Sequence, residues 1–406
     1  MGRSAGRAAK GWPDGAARTV ADLPTPTLVL RAEALERNLA AMAAWCAREG
    51  VLLAPHGKTT MAPALFRRQL DAGAWGITVA DVQQAAVALA AGARTILIAN
   101  ELARVDDCAW VARTVAQRPG VRILSCVDAV AGVELAARGT AEGAPDGPAP
   151  ELLVEVGYAG GRCGVRGAEA ALAVAHAVVA SPRLRLAGIE GYEGLIAAQA
   201  PLTAMQRVDA FLGELAGIAL RLAPLMEVEH PLLTAGGSAY FDRVAAILGP
   251  AARALGWPLV LRSGCYLTHD HGLYARLAPD ADPARAAGAP RFEPALELHA
   301  SVLSLPEPGR AIAGFGRRDA SYDAGLPVVL RVLARDGRAA PSADGLAVVA
   351  LNDQHAFVDV PAGSALRVGD TLVCGISHPC TTFERWRAIA LADADDRVLE
   401  TIETRF

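Results

Sequence analysis

The chain is almost without lysine. Of 39 basic side chains in 406 residues, only Lys10 and Lys58 are lysines, and the rest are arginine. No Lys/Arg run forms a polybasic patch. With a net charge of −4 and a pI near 6.1 there is no electrostatic footprint for nucleic acid or an anionic membrane. Nowhere do about 18 uncharged apolar residues run together, the length a membrane-spanning helix needs. The CxxC pair is also missing. The seven cysteines (Cys46, Cys108, Cys126, Cys163, Cys265, Cys374 and Cys380) are odd in number and scattered, which predicts that most are small core residues in a reducing compartment. The start is rich in Arg, Ala and Gly but has no apolar h-region, so we expect a cytoplasmic protein with residues 1–23 as a loose tail. These absences leave a small molecule as the expected partner.

What is present is globular: 52% hydrophobic and 20% charged residues. The length exceeds the roughly 250–300 residues at which a single core stops growing, so one large and one smaller domain are expected. Apolar β-type runs recur at Val51–Ala54, Gly76–Ala80, Thr95–Ala99, Val121–Val127, Glu151–Val156, Leu184–Ile189, Leu232–Thr234 and Pro258–Leu261. Alanine-rich helical segments separate them, including Met61–Ala72, Val82–Ala91, Ala129–Arg138, Ala168–Val179 and Pro201–Leu222. Eight such units predict an α/β fold, a (β/α)8 barrel over residues 24–280. An open doubly wound sheet has the same strand count. Thr140–Pro150 reads as an exposed loop, and Pro279–Pro294 ends the rhythm. From Ala295 the segments become short, Val-rich and turn-punctuated, predicting a C-terminal all-β domain over 290–406. The strand Thr25–Leu30 precedes the barrel, needs a partner, and can join that second domain.

The candidate chemistry starts at Val-Leu-Leu-Ala-Pro-His56-Gly-Lys58-Thr-Thr. A buried strand ends here and delivers His56 and Lys58 to the barrel rim, where this architecture keeps its chemistry. A lysine amine can lose its proton and attack a carbonyl, which arginine cannot do. An ordinary lysine reaching from a strand end is the plain alternative. Further polar groups follow the later strands: Arg162 in a glycine-rich turn, Tyr192, the run Gly236-Gly237-Ser238, and Gly264 with Tyr266. Loops after strands seven and eight are the usual phosphate site of a barrel, where glycine lets backbone N–H groups approach the oxygens. A lysine opposite such a site, with tyrosines between, points to pyridoxal 5′-phosphate. Arg162 and Tyr192 suit its phenolic oxygen and its ring face.

In the second domain, His378 and Cys380 stand at i and i+2 about Pro379. If extended, they share one side of the chain, and imidazole with thiolate suits a divalent metal, zinc above all. His269 and His271 form a competing pair without a thiolate, and His355 is either an acid/base group or a polar turn residue.

Pro55-His56-Gly57-Lys58-Thr59, Gly161-Arg162-Cys163-Gly164-Val165 and His378-Pro379-Cys380, in this order, resemble the D-serine dehydratase and D-threonine aldolase group of fold-type III pyridoxal phosphate enzymes. The resemblance implies an alanine-racemase-like barrel with a β domain, a homodimer, and a divalent metal held by His378 and Cys380. It implies Lys58 as the Schiff-base residue, with His56, Arg162, Tyr192, Gly236, Gly237, Ser238, Gly264 and Tyr266 around the cofactor. Dehydratases of the group carry His-x-Cys, whereas the aldolases usually carry His-x-Asp. Cys380 therefore implies D-serine-like dehydration to a 2-keto acid and ammonia, with aldol cleavage to glycine and an aldehyde as the alternative. A non-catalytic cofactor carrier is a third class, and the appended metal-type motif speaks against it. Two stretches depart from the group. Asp353-Gln354-His355-Ala356 stands in place of Asp-Glu-His-Gly, and Arg262–His271 replaces a Pro-Gly-x-Tyr run.

Overall fold

The computed structural model describes residues 19–196, 201–335 and 337–406. The chain begins with β1 (Thr27–Arg31), α1 (Ala32–Glu49), β2 (Leu52–Leu53), α2 (Pro63–Asp71), β3 (Ile77–Val79) and α3 (Val82–Ala90). Next come β4 (Thr95–Glu101), α4 (Val105–Gln117), β5 (Arg122–Val127), α5 (Val130–Gly143), β6 (Glu151–Val156) and α6 (Ala168–Val179). The alternation continues with β7 (Arg185–Gly191), α7 (Pro201–Leu222), β8 (Leu232–Ala235), α8 (Phe241–Leu255), β9 (Leu259–Leu261) and a short α9 (Leu273–Leu277). Helix α5 runs five residues beyond its expected end at Arg138, so the loop before β6 is shorter than Thr140–Pro150.

The eight parallel strands lie in the order β2-β9-β8-β7-β6-β5-β4-β3. A doubly wound sheet would reverse direction in the middle of such an order. Here the two outer strands meet instead. Thr78 N donates to Pro55 O at 3.0 Å, Trp75 N donates to Leu53 O at 2.8 Å, and His56 bridges Thr78 in parallel. The sheet is a closed barrel.

Strand periodicity then sets what fills it. Ala54, Leu97, Leu124, Leu153, Ala187, Leu232 and Val260 pack as one buried apolar layer. Two residues further along four of those strands come Cys126, Glu155, Thr234 and Arg262, all buried, and His56 follows Ala54 in the same way. In β7 the step is three residues, from Ala187 to Glu190. A register irregularity there is built on Gly188, whose φ is +148° and whose added Cβ would lie 2.0 Å from Leu232 O. The barrel interior thus changes from hydrocarbon to polar within one layer, on the side of the strand C-termini.

The second sheet contains β10 (Leu296–Glu307), β11 (Arg310–Ala313), β12 (Val328–Leu333), β13 (Ala347–Leu351) and β14 (Ala356–Asp359). It is completed by β15 (Thr371–Gly375), β16 (Ala388–Ala392) and β17 (Val398–Glu403), with a short α10 (Pro379–Phe383) between β15 and β16. Strand β1 joins this sheet, antiparallel to β10 and parallel to β16. Residues 1–18 of the expected tail lie outside the described residues. Its end is packed, because Val20 is buried and its N–H donates to Asp396 O at 2.8 Å. No described helix is long and apolar enough to cross a membrane.

Candidate active site

Lys58 sits in a single 3-10 turn, Gly57–Thr59, immediately after β2. Its side chain keeps solvent access, yet its surroundings are close enough for burial to be the largest cause lowering its pKa. Arg162 and Arg262 lower it further, while Cys380 and Cys265 act in the opposite sense. The lysine amine is therefore displaced toward its neutral form. Burial likewise holds His56 well below the usual imidazole value, helped by Lys58, Arg262 and Arg162. The His56 Nδ1 is buried without a hydrogen-bond partner. Gly264 closes this side of the site. A Cβ there would lie 2.6 Å from His56 O and 2.8 Å from Thr59 Oγ1, so only bare backbone fits between the lysine turn and the loop after β9.

The turn after β6 is anchored by Arg166, whose guanidinium donates to Cys163 O at 3.0 Å and Arg162 O at 2.7 Å and also reaches Gly164 O. Arg162 belongs to this turn but does not anchor it. The structure gives that part to Arg166, which leaves Arg162 to lie over the Tyr192 ring, 4.7 Å from its centroid. Burial pushes the Tyr192 hydroxyl up to about 12, so it stays protonated.

Gly236 N and Gly237 N already have an acceptor. They donate at 3.1 and 2.7 Å to the carboxylate of Glu193, a fully buried side chain that sequence reasoning passed over. The two loops are tied together at Ser238, whose Oγ accepts from Cys265 N at 3.1 Å. Tyr266 is not brought to this cluster. It is 3% exposed, its hydroxyl accepts from Gln69 Nε2 at 3.2 Å, and its ring lies 5.8 Å from Phe292. It points into the core because its single turn, Cys265–Leu267, packs against α1. Tyr274 of α9 takes the position beside the site, with its hydroxyl hydrogen-bonded to Cys265 and close to Cys380 and Tyr192.

His378 and Cys380 do meet, though not in an extended segment. Proline fits the first position of a helix, so Pro379 starts α10 with His378 as its N-cap residue. Helix α10 packs on the Gly57–Thr59 turn and brings the Cys380 Sγ to 3.4 Å from Thr59 Oγ1 and 3.5 Å from the Cys265 Sγ. The His378 Nδ1 is 2.7 Å from Asp323 Oδ2, while Thr381 Oγ1 donates to Asp323 Oδ1 at 2.8 Å. Burial works against the His378 imidazolium, but Cys380 and Asp323 outweigh it and raise its pKa to about 9. Contact with Cys265, then with His378, keeps Cys380 toward the thiolate. A thiolate beside an imidazole that a carboxylate orients is a donor set that fits zinc.

His269 and His271 lie elsewhere. His269 is buried against Phe292, and burial together with His271 pulls it down to about 4. His271 packs on Gly375. His355 is exposed in a turn closed by Asn352 N donating to its carbonyl, which is the plain reading.

Beneath the site, Cys126, Glu155 and Glu190 are the ligand-type side chains that, among the described residues, lie within 4.8 Å of one another. Their charge already has a counterpart, since Arg262 Nη1 is 2.7 Å from Glu190 Oε2. Burial, then Glu190 and Glu101, push Glu155 up to about 10, so it holds a proton at neutral pH. The native state keeps that proton across a window, from about 4.5 to about 10, in which an unfolded carboxylate has released it. Stability from this group is therefore full at low pH and declines as pH rises, by at most about 1.4 kcal/mol per pH unit. Glu155→Gln removes the decline. Its melting temperature, followed from pH 6 to 9, falls less than that of the parent, and parallel curves would show that Glu155 is ionised.

Comparison with known proteins relates the chain to one family, one relative and three solved structures. A family described as a putative serine dehydratase domain matches residues 295–392. Over 373 residues the chain is 30% identical to a D-threonine aldolase of an Arthrobacter species, covering 90% of this chain and 88% of that one. Among solved structures, a D-threonine aldolase from Filomicrobium marinum superposes with a TM-score of 0.78 at 26% identity, covering 97% and 98% of the two chains. A D-threo-3-hydroxyaspartate dehydratase from Delftia sp. HT23 superposes with a TM-score of 0.73 at 26% identity, covering 96% and 99%. A cysteine-to-alanine variant of a D-threo-3-hydroxyaspartate dehydratase has been solved in a metal-free form.

Proposed function

Because the chain belongs to the D-threonine aldolase and D-serine dehydratase group of fold-type III pyridoxal phosphate enzymes, we propose that it dehydrates a D-3-hydroxy amino acid resembling D-serine. The products are a 2-keto acid and ammonia. One observation carries this reading: α10 sets the Cys380 sulfur and the His378 imidazole against the turn that bears Lys58. The orphaned His56 Nδ1 and the Cβ-free approach at Gly264 fit a pyridoxal phosphate held by Lys58, His56, Arg162, Tyr192, Ser238 and Gly264. Gly236 and Gly237 shape that cradle while Glu193 occupies their amides. Bound there, the coenzyme supplies an electron sink at Cα and a divalent ion on His378 and Cys380 supplies a Lewis acid at the β-hydroxyl.

The chain's own part is positional and protonic. Lys58, whose amine is eased toward neutrality, takes the Cα proton. Arg162, lying on Tyr192, keeps positive charge beside that amine. Asp323 holds the Nδ1 edge of His378, which leaves Nε2 for the ion. Tyr274 and Tyr192 wall the site with protonated hydroxyls. Net, a Cα–H and a Cβ–O bond break, water leaves, and hydrolysis of the enamine gives the keto acid.

The similarity to a D-threonine aldolase over 90% of the chain favours a second reading, in which the Cα–Cβ bond breaks instead. Product analysis separates the two. D-serine, D-threonine and D-3-hydroxyaspartate, assayed for ammonia and for aldehyde, give ammonia with the matching keto acid in our reading, whereas glycine with an aldehyde would replace it with the aldolase. Cys380→Ala is expected to keep the coenzyme but lose the metal and the elimination. Unchanged metal content in that variant would remove the pair from the mechanism. The homodimer implied by the group is checked by sedimentation.

A further inference from the structure

Catalytic zinc sites take three protein ligands and leave one position for water or substrate. His378 and Cys380 supply two. Asp323, the nearest carboxylate to His378, is engaged by His378 Nδ1 and by Thr381. The remaining soft donor is Cys265, in the turn after β9. Its sulfur lies 3.5 Å from that of Cys380, and the two sulfurs share the Thr59 hydroxyl at 3.8 and 3.4 Å. Two sulfurs bonded to each other stand about 2.04 Å apart. Two thiolates at about 2.3 Å from one tetrahedral ion stand about 3.8 Å apart. The observed spacing is close to the second arrangement and far from the first.

We propose that Cys265 is a third protein ligand of the ion, so that the barrel and the β domain hold it jointly through Cys265, His378 and Cys380. This rests on the metal reading above and deepens it. A single position is then left for the substrate hydroxyl, and two thiolates select zinc or another thiophilic ion over magnesium or manganese. The ion also ties the loop after β9 to α10, joining the two modules across the site. Tyr274, which is hydrogen-bonded to Cys265, becomes an outer-sphere partner that orients the sulfur.

The test uses the full-length reduced enzyme. X-ray absorption of the zinc-loaded protein should show two sulfur neighbours at about 2.3 Å. Replacing zinc with Co(II) should give a sulfur-to-cobalt charge-transfer band that falls by roughly half in Cys265→Ser and in Cys265→Ala, while Cys46→Ala keeps the parent intensity. Metal affinity in the Cys265 variants should drop by more than the roughly 10–100-fold that loss of an outer-sphere partner costs. One sulfur neighbour in the parent, or an undiminished band in Cys265→Ser, overturns the proposal and leaves the two-ligand metal reading standing. A parent enzyme that takes up neither zinc nor cobalt overturns both. The absorption measurement needs no variant, so a misfolded Cys265→Ala does not blunt it.

Discussion

Lys58→Ala is expected to abolish turnover and covalent retention of the coenzyme together. Lys58 is the one lysine among the described residues, and it sits on the barrel rim between Arg162 and the Cys265–Cys380 pair. Loss of a positioned proton carrier alone costs roughly 10²–10⁴-fold in rate. Among the described residues the same amine is also the only lysine nucleophile, so the loss is expected at the upper end or beyond. Borohydride reduction followed by peptide mapping should place pyridoxal phosphate on the peptide containing Lys58 in the parent and on none in the variant. Normal turnover in the variant would remove the lysine from the chemistry.

The second large effect falls on stability. Arg262 is 5% exposed inside the barrel, where Glu190 faces it at 2.7 Å in a contact without hydrogen-bond geometry. Its hydrogen-bond partners, Thr234 Oγ1 at 3.1 Å and Gly191 O at 2.9 Å, are neutral, and Glu193 acts on it less strongly than Glu190. Glu190→Gln therefore takes from a buried guanidinium its nearest counter-charge, a loss of up to about 3–5 kcal/mol. Denaturant unfolding measures it. Removing both charges, as Glu190→Gln with Arg262→Met, should recover much of the loss, because the desolvation penalty of the pair disappears with it. A single variant within about 1 kcal/mol of the parent would mean that water or a shared proton already neutralises the pair.

The barrel was legible in the sequence because each strand is a short apolar run flanked by a long alanine-rich segment. Closure was not, because it rests on Trp75, Thr78 and His56 meeting across an edge that no local pattern marks. In the second domain β11 and β17 escaped notice. β11 has only four residues, three of them apolar after Arg310, and Glu400 and Glu403 interrupt β17, so neither is a long apolar run. Lys58 and the His378–Cys380 pair stood out by rarity and spacing. Asp323, Tyr274 and Glu193 could not, since each acquires its role from a partner in a different loop. Tyr266 misled for the opposite reason. It lies among rim residues in the sequence, but a single helical turn rotates it into the core.

The wedging of β1 between β10 and β16 has a consequence for biosynthesis. Val29 is in register with Glu297 on one side and Ala390 on the other. A nascent chain emits this segment before the whole barrel, and the segment must wait for β10 and then β16 before both neighbours exist. Such distant pairing is slow to nucleate and leaves an unsatisfied, apolar strand available to other chains in the interval. Polypeptides interrupted before β16 should accordingly be recovered as aggregates, with the β1 segment as their adhesive element.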